Sequence, residues 1–238
     1  MSPSITPSGS LPPFAPAPLS PLAHRLFAFW LALAVAALAI VVGLLVPHWI
    51  PLAFLQEEGP VERGTVWVYL AAVLSVPLLR WRGMSVADGL AACVLLLAMA
   101  AREADLHTAL FGISILKSHF YLHAPASQIA VALCVLAPIV AAGLWLLVRH
   151  AQQWRVAPAR WSPPAVTLAV LVATMVVAKV LDRTPDTLGQ LHLREQVPMA
   201  AIYVMLALEE ILEFALPVFA IVAMLQCRLL ALRQNVTK

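Results

Sequence analysis

Charge is what this chain has least of. Asp, Glu, Lys and Arg together make up 11% of the 238 residues, against 62% for hydrophobic residues, whereas a soluble domain is about a quarter charged. That scarcity excludes a globular surface that water could cover. The formal charge of +3 is small and not clustered, which excludes nucleic acid as a partner. Cysteine is nearly absent too. Cys93, Cys134 and Cys227 each lie inside or at the end of an apolar run, with no spacing suited to a disulfide or a zinc site, so they read as small buried hydrophobes. Only Lys117, Lys179 and Lys238 among the fifteen basic residues are lysine, a bias associated with bacterial genes of high GC content. The chain also lacks an internal repeat, a phosphate-binding glycine loop, the histidine boxes of membrane desaturases and a haem attachment sequence.

What is present is a succession of long apolar runs. Residues 1–24 come first and hold seven prolines before Arg25; proline fixes φ and removes backbone donors, so a disordered tail is expected there. Leu26–Val46 is then an uncharged run of 21 residues, enough to cross about 30 Å of hydrocarbon, and Pro47 and Pro51 end it. Gly59-Pro60-Val61-Glu62 opens a second span to Leu79, with proline in the first turn and an acid complementing the positive helix end. A third begins near Val86 and continues past Ala101 into Arg102-Glu103-Ala104-Asp105-Leu106-His107, followed over 108–127 by a mixed stretch with a short surface helix. The fourth is Ile129–Val148 with a kink at Pro138, the fifth Ala165–Leu181, and the sixth Pro198–Cys227, interrupted by Glu209-Glu210-Ile211-Leu212-Glu213. The expected fold is therefore all-α: a polytopic bundle of about six transmembrane helices over 25–230, with a short C-terminal tail at 231–238.

Lysine and arginine bias sets orientation. With the N-terminus inside, nine basic residues fall on the cytoplasmic side and six outside, so both termini are expected in the cytoplasm and the location is a bacterial inner membrane. Eleven of the twelve acids then fall on the periplasmic side, Asp88 being the exception, together with His48, His107, His119, His123 and His192. Acids barely affect insertion, so this asymmetry asks for another cause.

Depth sharpens the question. Taking Arg228 as the inner boundary, Glu213 lies roughly 22 Å above it and Glu209 roughly 28 Å at about 1.5 Å per residue, which puts Glu213 within the hydrocarbon. Glu209 and Glu213 share a helix face, Glu210 reaches Glu213, and like charges at those spacings repel. An ionised carboxylate at such depth costs several kcal/mol on insertion scales. Cations from neighbouring helices, protons or a metal must neutralise them. Arg102, Lys117, Lys179 and Arg183 lie at the same outer level, and a Lys179–Glu213 pair across the fifth and sixth spans would satisfy two misfits at once.

A functional pocket is the sharper alternative to an ion-pair lattice, since intramembrane ionisable residues are functional candidates by default. Glu103, Glu209, Glu210 and Glu213 are the candidate general bases, with Lys117 and Lys179 as anion stabilisers. Glu103 and His107 are four apart on what is expected to be one helix, as are His119 and His123 if 113–123 is helical. With Glu213 these form a candidate ligand set for a divalent metal, by likeness to helical carboxylate–imidazole sites. Glu58 and Glu62 read as helix-start partners. Gly112-Ile113-Ser114 starts like the nucleophile turn of intramembrane serine proteases, but Ile115 stands where glycine is needed and the sixth span holds no histidine.

The leading functional expectation is a periplasm-facing polar pocket with metal- or acid–base-dependent activity on a lipid-like or small periplasmic substrate. The runner-up is a proton- or ion-coupled carrier, which would carry polar residues through to the cytoplasmic face. The third is a scaffold that binds another membrane protein, with small-residue faces at Ala34-Val35-Ala36-Ala37 and Ala91-Ala92 permitting close packing. The bilayer is a partner in every case.

Overall fold

The computed structural model describes residues 22, 24–46, 54–55, 59–79, 84–112, 115, 118–149, 151, 155 and 161–236, without the side chains of 118–119, 186, 194 and 234–236. Every regular element among them is helical: α1 (Phe27–Leu45), α2 (Pro60–Leu78), α3 (Val86–Glu103), α4 (Leu106–Phe111), α5 (Ser118–His123), α6 (Ala126–Arg149), α7 (Pro163–Gln190), a 3-10 turn at Arg194–Gln196 and α8 (Met199–Val236). Five of these, α1, α2, α6, α7 and α8, are long and apolar enough to cross a membrane. The expected count was six. The difference is α3, whose 18 residues include Asp88, Arg102 and Glu103.

Local chemistry explains the helix starts. Pro60 follows an extended Gly59, so the missing N–H falls where none is needed. Ser85 and Asp88 form a capping box: Asp88 N–H donates to Ser85 Oγ at 3.0 Å and Ser85 N–H to Asp88 Oδ2 at 3.2 Å. The expected proline-rich tail lies outside the described residues apart from Leu22 and His24. Helix ends depart from expectation in several places. α7 runs on through Pro185 to Gln190 rather than stopping at Leu181, and α8 runs to Val236 rather than Cys227. The expected C-terminal tail is thus helical over 231–236, because Leu229, Leu230, Ala231 and Leu232 are helix formers with no glycine or proline among them. At about 1.5 Å per residue, α8 spans about 57 Å, far more than the hydrocarbon core.

α8 is the axis of the bundle. α1, α2 and α7 pack around it, while α3 lies against α2 and α6. Its Ala215, Leu216, Phe219 and Met224 are buried, facing Ala28 of α1 and Tyr69, Ala72 and Val76 of α2. The residues α1 buries are Ala28, Ala39 and Gly43; Ala34 and Ala37, on the face proposed for close packing, are exposed, whereas Ala91 of α3 is buried. Gly43 is needed where it stands, since a Cβ there would lie 2.5 Å from the Cα of Val204. Small residues let backbones approach closely where lipid supplies no hydrophobic drive. The outward faces of α1 and α6 carry Trp30, Leu38, Val140 and Val148, all exposed, as suits contact with acyl chains.

Two sets of contacts define the ends of the bundle. At one end Trp145 Nε1 donates to Asp88 Oδ1 at 3.0 Å, and Arg149 Nε lies 3.2 Å from the same oxygen, tying the end of α6 to the start of α3. Arg228 of α8 donates to the Leu78 carbonyl of α2. Gln226, fully buried, donates to the Leu22 carbonyl and accepts from Thr167 Oγ1 at 2.6 Å. The opposite end gathers the start of α2, the end of α3, the charged part of α7 and the first turns of α8.

Candidate functional site

Four helices bring charge together at that second end. Glu213 of α8 is the hub. Its Oε1 accepts from Arg102 Nη2 of α3 at 3.0 Å and from Lys179 Nζ of α7 at 2.9 Å. Each cation also holds a second carboxylate: Arg102 Nη1 lies 2.8 Å from Glu103 Oε1, and Lys179 Nζ lies 2.9 Å from Asp182 Oδ2. Glu103 is 6% exposed and Glu213 8%, so both carboxylates have left water and rely on these partners. The Lys179–Glu213 pair anticipated from depth is present, but it is half of a larger chain running Glu103, Arg102, Glu213, Lys179, Asp182 across three helices.

More acid surrounds the chain than its cations can balance. Glu209 meets Asp182 side chain to side chain. Glu210 lies within electrostatic reach of Glu62, Glu103, Glu209 and Glu213. Neither Glu209 nor Glu210 forms a salt bridge among the described residues. Among the described residues five carboxylates (Glu103, Asp182, Glu209, Glu210, Glu213) thus stand against Arg102, Lys179 and Arg183, the last acting on Asp182.

Tyr69 completes the floor. It is fully buried, its hydroxyl donates to Met99 Sδ at 3.7 Å, and it lies within the field of Arg102, Glu103 and Glu213. Sequence reasoning did not single it out. The available signal was Thr65, the polar residue one turn earlier on the same buried stripe of α2, whose hydroxyl turns back to the Val61 carbonyl.

His107, the histidine expected over Glu103, is not joined to this cluster. Glu103 and His107 are not on one helix: α3 ends at Glu103, Asp105 adopts a left-handed φ of 46°, and α4 starts at Leu106. The four-residue spacing therefore no longer places imidazole over carboxylate, and His107 Nδ1 lies 4.0 Å from Asp105 Oδ1 instead. His123 lines a separate cavity of about 180 Å³ with Phe111, Phe120, Pro125 and Gln128. His119 sits on the same short helix as His123, but its side chain lies outside the described residues, as do Lys117, His48, Glu57 and Glu58 entirely. Among the described residues no three His, Cys, Asp or Glu side chains are arranged to hold a metal ion. Of the proposed ligands with described side chains, Glu103 and Glu213 are brought together, and Arg102 lies against both, a cation where a metal would need open lone pairs.

The arrangement can accept and release protons, or hold a cationic group, at a point where apolar helices exclude bulk water. Comparison with known families, curated proteins and solved structures gives no match in any of the three.

Proposed function

We propose that this is a multi-pass bacterial inner-membrane protein whose periplasmic carboxylate cluster is an acid–base site acting on a lipid-like or small substrate. The observation that carries the reading is the surplus of Glu209 and Glu210 beside a fully paired Glu213. A lattice built only for stability needs as many cations as acids, since an uncompensated charge at membrane depth is expensive. The described cations leave that balance to protons or to the substrate. In this reading Glu209 and Glu210 transfer protons, Arg102 and Lys179 hold Glu213 in place beside them, and Tyr69 closes the site toward the membrane interior.

The same reading makes α3 a sixth crossing. The start of α3 meets the end of α6 through Asp88 and Arg149, and its end meets α8 through Arg102, which supports a helix running the full height of the bundle. Six crossings put both termini on one side, and the arginine-rich connections favour the cytoplasm for it. Reporter fusions after Arg82 and at the C-terminus are expected to report cytoplasm, and one at Ala124 periplasm; a cytoplasmic signal at Ala124 would remove α3 from the membrane.

A carrier is less well supported. Between Glu213 and Gln226 the buried positions of α8 are Ala215, Leu216, Pro217, Phe219, Val222, Ala223 and Met224, an apolar stretch with no polar step on that helix.

Infrared difference spectra of the purified protein over a pH series test the acid–base reading. Carboxyl and carboxylate bands that interchange with pH, and shrink in Glu209→Gln and Glu210→Gln, are the expected result. Spectra identical in wild type and both variants would leave the cluster a static lattice.

A further inference from the structure

We propose that a groove along the outer part of α7 is a seat for the headgroup of an aminophospholipid, with the phosphate on Arg183. The groove has a volume of about 380 Å³ and is lined by Lys179, Val180, Arg183, Thr184, Thr187 and Leu188.

Its level in the membrane comes from α7 itself. The helix is uncharged from Pro163 to Ala178 and polar from Lys179 onward. Sixteen residues at about 1.5 Å each carry it about 24 Å through the apolar layer, so the groove opens where headgroups lie. Below it, Leu168, Val172, Val176 and Val180 repeat every four residues and are all exposed, at 38%, 51%, 54% and 61%. Residues four apart share a helix face. Each step of four also turns about 40° round the helix, so the row slants up to Val180 at the groove's edge, and its rise of roughly 18 Å is close to the depth of one leaflet in a core about 30 Å thick. An acyl chain can lie along it while its headgroup enters the groove.

The polar groups choose the headgroup. Lys179 Nζ is already shared by Asp182 and Glu213. Arg183 forms no salt bridge among the described residues, which leaves its guanidinium as the groove's phosphate donor; the planar fork suits two phosphate oxygens. The hydroxyls of Thr184 and Thr187 donate to the Val180 and Arg183 carbonyls at 2.6 and 2.8 Å, so toward the groove they offer lone pairs only. Lone pairs, with the unpaired acid of Glu209 beside Asp182 next door, complement a headgroup that carries an ammonium beyond its phosphate. A purely anionic headgroup would meet those acids unfavourably.

Native mass spectrometry of the full chain in mild detergent, with phosphatidylethanolamine, phosphatidylglycerol, diacylglycerol and inorganic phosphate added separately, tests this. Phosphatidylethanolamine should be retained at least about tenfold more tightly than diacylglycerol, and Arg183→Gln should weaken it about tenfold, or about 1.4 kcal/mol. Thr187→Val, at an exposed position, should narrow the preference over phosphatidylglycerol; it carries the test if Arg183→Gln does not fold. Equal retention of all three lipids, preference for phosphatidylglycerol, displacement by inorganic phosphate, or undiminished binding in both variants would each overturn the proposal. Lipid binding reads the groove whether or not the neighbouring carboxylates exchange protons, so the two readings fail separately.

Discussion

Arg102→Met is expected to be among the most destabilising single substitutions in this chain. The guanidinium holds Glu103 at 2.8 Å and Glu213 at 3.0 Å, and both carboxylates are more than nine-tenths buried. Lys179 still holds Glu213 when Arg102 is removed, but Glu103 loses its cation, and removing one partner of a buried pair costs about 3 to 5 kcal/mol. The Arg102 side chain is itself 29% exposed, so some water reaches the pair and the lower figure, about 3 kcal/mol, is the expectation. Thermal melts in detergent should show the loss directly. Adding Glu213→Gln should recover about 1 kcal/mol of it, because the amide no longer needs the cation. Arg102→Lys should fall between, since an ammonium lacks the fork that reaches both carboxylates. Strict additivity of Arg102→Met and Glu213→Gln would mean that the two side chains do not interact.

Much of this arrangement was legible in the sequence, for definite reasons. The bilayer demands about twenty apolar residues per crossing, so α1 and α6 announce themselves by length alone. Depth along one helix is a matter of rise per residue, which is why the sequence alone pairs Lys179 with Glu213 across two helices, and they lie 2.9 Å apart. Legibility ended where tertiary contact decides. The break between Glu103 and His107 depends on Asp105 adopting a left-handed conformation, uncommon for a residue other than glycine, and no local pattern marks it. Arg102 and Glu103 are neighbours in sequence and nominally point about 100° apart on a helix, yet at the helix end they join and reach Glu213 together. Tyr69 gave no charge and no depth signal, being one aromatic among apolar neighbours. The ends of α7 and α8 ran past their expected limits because loss of hydropathy marks the membrane surface and not the end of a helix.

The wider consequence concerns how a small membrane protein tolerates charge. Glu213 is paired twice, while Glu209 and Glu210, four and three residues before it, form no salt bridge among the described residues. Helical spacing alone makes these like charges repel Glu213. A sequence shaped for stability has inexpensive remedies at 209 and 210, glutamine above all, which keeps shape and removes charge. That both positions hold glutamate is the strongest reason to read them as working groups.

Complementation by the double variant Glu209→Gln/Glu210→Gln, in a strain that depends on this gene, tests that claim most directly. Removing two surplus negative charges should leave the protein inserted and as stable as wild type, or slightly more so, by the same thermal melt used for Arg102→Met. The account predicts a folded, fully expressed protein that fails to complement. A folded double variant that complements as well as wild type would contradict it, and would make the cluster a set of ion pairs with two idle acids beside them.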